Sequence, residues 1–196
     1  MSEPYAIRSA RKSDAAEIAL LVNIAVHGHM VAGWVHSKQA QDTYDPLEVG
    51  RMEMLSEDTQ FNWRSAFMAE VDGEIAGMLL GYRKADARES LSDDLWAPMV
   101  PIEQLEAEAN GLWFISMVGV HKAWRGRGAG SALLDRAETE ARVTQAKGQA
   151  LIVEDANSGA RKLYEGRGFS VRTSRPMVPF PGAQQDGTDW LLMVKD

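Results

Sequence analysis

The residues best suited to chemistry in this chain lie in a short loop, Arg125-Gly126-Arg127-Gly128-Ala129-Gly130-Ser131, and in a later run that holds Asn157 and Tyr164. Three alternate glycines let a backbone come close to a ligand, because no Cβ stands in the way and positive φ costs little. An amphipathic run begins at Ser131, with Leu133, Leu134, Ala137 and Ala141 on one helical face, so the loop stands at the mouth of a helix. N–H groups there, backed by the helix N-terminus, form an anion site. A plain strand-to-helix turn would use the same glycines, and the two arginines are what favour phosphate. The phosphate loop of nucleotide hydrolases is excluded, since Lys and then Ser or Thr would follow its last glycine and the chain reads Gly130-Ser131-Ala132. A dinucleotide-binding fingerprint fits poorly, because its third glycine would fall on Ser131. An oxidoreductase on that plan is a distant alternative.

Among the elements that must hold these groups, an apolar strand from Trp113 to Val120 runs into His121 and the glycine loop, and the helix beyond it closes around Lys147-Gly148. A strand from Ala150 to Glu154 precedes a short helix over 157–166, for which Asn157 is a good N-cap. Earlier, a strand at Tyr5 to Arg8 leads to a helix capped at Ser13 or Asp14, with Asp14 and Glu17 as a capping box and Ile18, Leu21, Val22, Ala25 and Val26 as its core stripe. That helix ends near His27-Gly28, and 28–44 reads as a loop or irregular helix. Asp45-Pro46-Leu47-Glu48 starts a second helix with Val49, Met52 and Leu55 buried. Asp72-Gly73 joins two antiparallel strands, 66–71 and 74–82. Within the irregular 84–111 stretch, which includes Asp93, a short helix over 102–110 presents Glu103, Glu106 and Glu108 as a solvated face. A strand starts at Phe169 to Arg172, a loop spans 176–187, and the last strand is 189–194.

At 196 residues with a net charge of −7, the chain is sized for one domain over 1–196, and its basic residues are scattered rather than gathered. A nucleic-acid partner is therefore not expected. There are no cysteines, which excludes disulfides, a thiol nucleophile and thiolate-bound metal. No signal-like start and no run of about 18 apolar residues is present, so no membrane partner is expected and a cytoplasmic location is the default.

The spacing Arg125-x-x-Gly128-x-Gly130 after a strand ending in Val120-His121 resembles the pyrophosphate loop of the GCN5-related N-acetyltransferases (GNAT). Asn157, Ala160, Tyr164, Gly168 and Phe169 resemble the second half of the same signature, in the right order and at a fitting distance. Together they cover 113–169. The resemblance implies an α/β (α+β mixed) GNAT-like three-layer fold: a twisted, mostly antiparallel mixed sheet of about seven strands, splayed in the middle, with helices on both faces. It implies acetyl-CoA as cosubstrate, with no metal. The pantetheine arm would add as a strand along the backbone of Met117, Val118 and Val120. The backbone from Gly126 through Arg127, Gly128, Ala129 and Gly130 to Ser131 would cradle the pyrophosphate, Arg125 and Arg127 would add charge, and Asn157 would contact the arm. Tyr164, which from periodicity alone is a core aromatic, takes from the resemblance the role of proton donor to the departing thiolate, for which an unperturbed phenol is protonated at neutral pH.

The reaction implied is direct acetyl transfer to a primary amine of a small molecule or a peptide N-terminus, and a homodimer is an admissible assembly. The attacking nitrogen must first lose a proton. Some relatives place a Glu near the start of the central strand, where this chain has Leu112, Trp113 and Phe114. Glu70, Ser116 and Glu154 are base candidates by position, each equally readable as an edge or solvent-facing polar residue. The missing Glu keeps a second reading open: a catalytically degenerate acyl-CoA-binding sensor or interaction module. Acceptor choice would fall to the first two helices and the segment before the central strand, which supply His27, His29, Trp34, His36, Tyr44 and Trp96. The two histidines at 27 and 29 lack a helical i, i+4 partner and read as loop residues rather than metal ligands.

Overall fold

A computed structural model describes residues 5–37, 45–87, 91–92, 94–182 and 186–196. Seven strands form a mixed sheet in the order β1-β2-β3-β4-β5-β7-β6, with β1 Ala6–Ser9, β2 Ala66–Val71, β3 Glu74–Arg83, β4 Trp113–Val120, β5 Gln149–Glu154, β6 Ser170–Pro176 and β7 Asp189–Lys195. The pairs β1/β2, β2/β3, β5/β7 and β6/β7 are antiparallel and β4/β5 is parallel. The expected mixed, mostly antiparallel sheet with helices is therefore observed. The chain divides into two compact units, residues 1–82 with 116–137 and residues 83–115 with 138–196.

The first unit is built on an apolar hairpin. Asp72 and Gly73 take left-handed φ of 50° and 82°, the tight reversal that the Asp-Gly pair announces, and β2 and β3 are buried along most of their length. Three helices, α1 Ala15–Ala25, α2 His29–His36 and α3 Pro46–Leu55, share its core through Ile18, Leu21, Val22, Trp34, Val49, Met54, Met68, Met78 and Leu80. Asp45 caps α3 as expected, its Oδ1 accepting from Leu47 N at 2.9 Å with Pro46 in the first turn.

The Asp14–Glu17 capping box does not form: Asp14 closes a preceding 3-10 turn, Lys12–Asp14, where it accepts from Arg11 N at 2.6 Å and pairs with Arg8 at 2.7 Å. Residues 29–36 are regular helix rather than loop, set off from α1 by His27 and Gly28 at φ 53° and 92°. On α3 the fully buried positions are Val49, Gly50 and Met54, whereas Met52 and Leu55 are only partly covered. Tyr44 lies outside the described residues.

In the second unit β5 is the hub, paired along its length with β7 from Gln149↔Lys195 to Glu154↔Trp190 and, over three residues, with the start of β4 from Trp113↔Gln149 to Ile115↔Leu151. Helix α4, Val100–Glu106, packs against β5, β6 and β7. It starts and ends earlier than its pattern suggests. Its acidic residues are not a bare solvated face: Glu106 pairs with Lys84 at 2.9 Å, and beyond the helix Glu108 pairs with Arg175 at 2.6 Å. Helix α5, Ala129–Val143, begins two residues before Ser131 and ends short of Gly148. The left-handed residue after it is Gln145, at φ 54°. Gly148 serves packing instead, since a Cβ there would lie 2.5 Å from the Lys195 carbonyl oxygen. Among the described residues no single helix is long and apolar enough to cross a membrane.

Candidate functional site

The loop between β4 and α5 is held by three kinds of contact, all within the first unit. A 3-10 turn over Lys122–Trp124 follows His121, with Trp124 N donating to His121 O at 2.9 Å. Arg125 folds back, and its Nε donates to the Val120 carbonyl at 3.1 Å. Tyr5 meets the Trp124 ring edge-on at 6.4 Å, while the Arg127 guanidinium lies over the same ring at 5.3 Å and the Tyr5 hydroxyl donates to Arg127 O at 3.4 Å. A cation over an indole face is electrostatically attracted to it, so Arg127 has a defined place without losing its charge.

Between these anchors Gly126 and Gly128 adopt φ of 72° and 98°. A side chain would strain that backbone. The first intrahelical bond of α5 runs from Ala132 N to Gly128 O at 3.0 Å. The amides of Ala129, Gly130 and Ser131 precede it and by helix geometry have no acceptor one turn back. A helix N-terminus led by two left-handed glycines, with guanidinium groups at 125 and 127, presents positive potential and N–H donors to an anion. Met117, Val118 and Val120 lie on the outer half of β4 and are half-buried; the Met117 side chain packs on the first unit's main core, and Val120 on a smaller cluster with Trp124.

In the second unit Asn157 caps α6, Ser158–Glu165, accepting from Ala160 N at 3.1 Å. Tyr164 sits in the last turn of α6, and its ring meets Phe169 at 6.0 Å and 62°. Its carbonyl accepts from Arg167 N and Phe169 N at 2.9 and 3.1 Å while Gly168 turns the chain at φ 89°. The spacing from Tyr164 to Gly168 and Phe169 is thus one closed turn that fixes the tyrosine ring. The residue is half-buried overall, but its phenol end is crowded by protein, and that burial alone pushes its pKa up to about 12.

Two of the base candidates, Glu70 and Glu154, are engaged in the fold. Glu70 pairs with Arg8 at 2.6 Å on β2. Glu154 is buried and accepts from Gly187 N at 2.7 Å. Ser116 is half-buried on β4. Of the residues considered for acceptor choice, His29 and Trp34 are buried on α2, and Trp96 meets Phe180 edge-on at 5.5 Å. Sequence reading missed two carboxylates that the fold singles out. Glu17 on α1 meets His121 Nε2 at 2.5 Å, and Glu53 on α3 accepts from the Trp34 indole at 2.6 Å. Neither has a signal in local spacing, because each pair joins distant segments.

The family model for the "Acetyltransferase (GNAT) family" matches residues 34–169. The chain belongs to that family. Solved structures share the fold: a protein described as an acetyltransferase (22% identity, 97% of this chain and 98% of that one, TM-score 0.64), the N-acetyltransferase of Staphylococcus aureus Mu50 (17%, 97% and 100%, 0.64), and the PaiA N-acetyltransferase of Thermoplasma acidophilum in complex with coenzyme A (14%, 97% and 98%, 0.56). No curated protein matches.

Proposed function

We propose that residues 1–196 act as one acetyl-CoA-dependent N-acetyltransferase domain that moves an acetyl group directly to a primary amine of a small molecule or a peptide N-terminus. The observation that carries the reading is the pair of left-handed glycines, 126 and 128, opening α5 directly after β4, with Arg125 and Arg127 held on either side. The family assignment and the coenzyme A bound to the Thermoplasma acidophilum protein support the choice of ligand. On this reading the backbone from Gly126 to Ser131 grips the diphosphate, and the backbone of Met117, Val118 and Val120 receives the pantetheine amides. Asn157 contacts the arm in addition to capping its helix.

Tyr164 holds its proton at neutral pH by a wide margin. A phenol that stays neutral donates a hydrogen bond to the sulfur as negative charge builds on it, which stabilises the departing thiolate. With Glu70 and Glu154 engaged in the fold, the ammonium proton leaves by way of water. No metal takes part. Isothermal titration with acetyl-CoA and coenzyme A, followed by thiol release with an amine panel, tests both halves of the proposal. Absence of heat with either ligand refutes the cofactor site, and binding without amine-dependent thiol release refutes the transferase in favour of a sensor.

A further inference from the structure

Beside the glycine loop, and apart from the main core of the first unit, lies a small apolar cluster. Val71, Ala76 and Ala129 are buried in it, and Tyr5, Val120 and Trp124 pack against it. It joins the end of β2, the start of β3, the end of β4, the 3-10 turn and the first residue of α5. Ala129 is only 1% exposed, so the cluster seats the helix end whose amides at 129, 130 and 131 lack intrahelical acceptors. Tyr5 comes to this cluster from just before β1, an edge strand of the sheet. Its ring meets Trp124 edge-on at 6.4 Å and 83°, and its hydroxyl donates across 122 residues of sequence to Arg127 O at 3.4 Å.

The two contacts act on different parts of the loop. The ring edge fixes the indole over which the Arg127 guanidinium lies at 5.3 Å, and the hydroxyl fixes the peptide that follows Arg127. That peptide is trans, so its carbonyl and its N–H point in opposite directions. A hydroxyl that holds the Arg127 carbonyl therefore turns the Gly128 N–H away from Tyr5. Gly128, at a left-handed φ of 98°, is followed by helical Ala129, and this alternation draws successive amides into one anion-binding concavity. At 3.4 Å the hydroxyl bond is long. An anion that draws on the Gly128 N–H polarises the same amide, makes its carbonyl a better acceptor and so strengthens that bond.

We infer that Tyr5 is a positioning residue for the diphosphate: through the Arg127 carbonyl it aims the Gly128 N–H at the ligand, and through Trp124 it sets the place of the Arg127 guanidinium. The inference rests on the acetyltransferase reading and adds to it a residue far from the loop in sequence. Tyr5→Phe keeps the ring against Trp124 and removes only the hydroxyl, Tyr5→Leu removes both contacts, and Val71→Ala thins the same cluster from the end of β2. Calorimetry with coenzyme A on folded protein should show affinity lowered about three- to tenfold in Tyr5→Phe. Tyr5→Leu should lower it by about tenfold or more. Val71→Ala should lower the melting temperature and leave the affinity within about twofold of wild type. Pantetheine, which carries the arm and no phosphate, should bind wild type and variants alike when titrated at millimolar concentration and followed by NMR. Unchanged coenzyme A affinity in Tyr5→Phe would overturn the inference, whether or not Tyr5→Leu folds. So would a loss in Val71→Ala as large as that in Tyr5→Phe, or pantetheine binding that weakens in parallel with coenzyme A, since either marks a general loosening rather than an aimed amide. Failure of coenzyme A to bind wild type would instead remove the transferase reading on which the inference stands.

Discussion

Replacing Tyr164 with Phe removes one oxygen and keeps the ring against Phe169, so the variant isolates the phenol's chemistry. A thiol has a pKa of about 8.5 and the buried phenol one of about 12. Full proton transfer from this tyrosine to a thiolate would therefore run uphill by roughly 3.5 units, about 5 kcal/mol. The useful interaction is a hydrogen bond to developing negative charge, about 1.5–3 kcal/mol. That corresponds to a loss of about 10- to 150-fold in kcat, with acetyl-CoA affinity near that of wild type. Thiol release under saturating acetyl-CoA measures the first quantity and calorimetry the second. Unchanged kcat in a folded variant would refute the role. The same pKa predicts that the wild-type rate has no basic limb from Tyr164 up to about pH 10, the value an exposed phenol would show. Stability gives an independent check. The unfolded chain releases this proton near pH 10 and the folded protein near 12, so folding loses up to about 1.4 kcal/mol per pH unit between them and nothing below. Chemical denaturation of wild type and variant should show the two diverging only above that lower value.

Gly128→Val forces a branched side chain onto a φ of 98° and fills space at the helix mouth, so coenzyme A affinity should fall by about tenfold or more, each tenfold being about 1.4 kcal/mol; calorimetry on folded protein checks it, and normal affinity refutes the loop assignment. Asn157→Ala removes the bond to Ala160 N and should cost about 1 kcal/mol in a denaturant titration. At Asp14, burial pushes the carboxyl up, but bonds from Arg8 and the Arg11 amide outweigh it and leave the pKa below the ordinary value. The stabilisation is complete above the unfolded value and is lost as pH falls through the folded one, so Asp14→Asn should cost about 1 kcal/mol at neutral pH and progressively less in acid.

The parts of the fold that were legible in the sequence are those decided within a few residues. Asp72-Gly73 needs only its own φ angles to reverse the chain, Asp45-Pro46 only the next amide, and Asn157 only Ala160 N. The glycine loop belongs with them, because Gly126 and Gly128 announce a backbone that other residues avoid. The acetyltransferase signature was readable for the same reason: its two halves are compact local structures, a loop opening α5 and a turn closing α6.

The misreadings share an opposite cause. Asp14 and Glu17 have the spacing of a capping box, yet Arg8 and the Arg11 amide take the first carboxylate and His121 the second. Charge-assisted bonds to partners elsewhere outcompete a local cap, and three-residue spacing carries no trace of them. The helix over 29–36 was hidden because its conspicuous residues, His29, Gly33, Trp34 and His36, do not repeat as a simple apolar stripe. Its main anchor is one large ring set against Gly50 of another helix. Glu53 looks like any helix-surface glutamate in the sequence, and only the fold half-buries it and fixes one of its oxygens on Trp34. Short-range backbone geometry is thus the legible half of this protein, and the contacts that form only where separate helices meet are the other half.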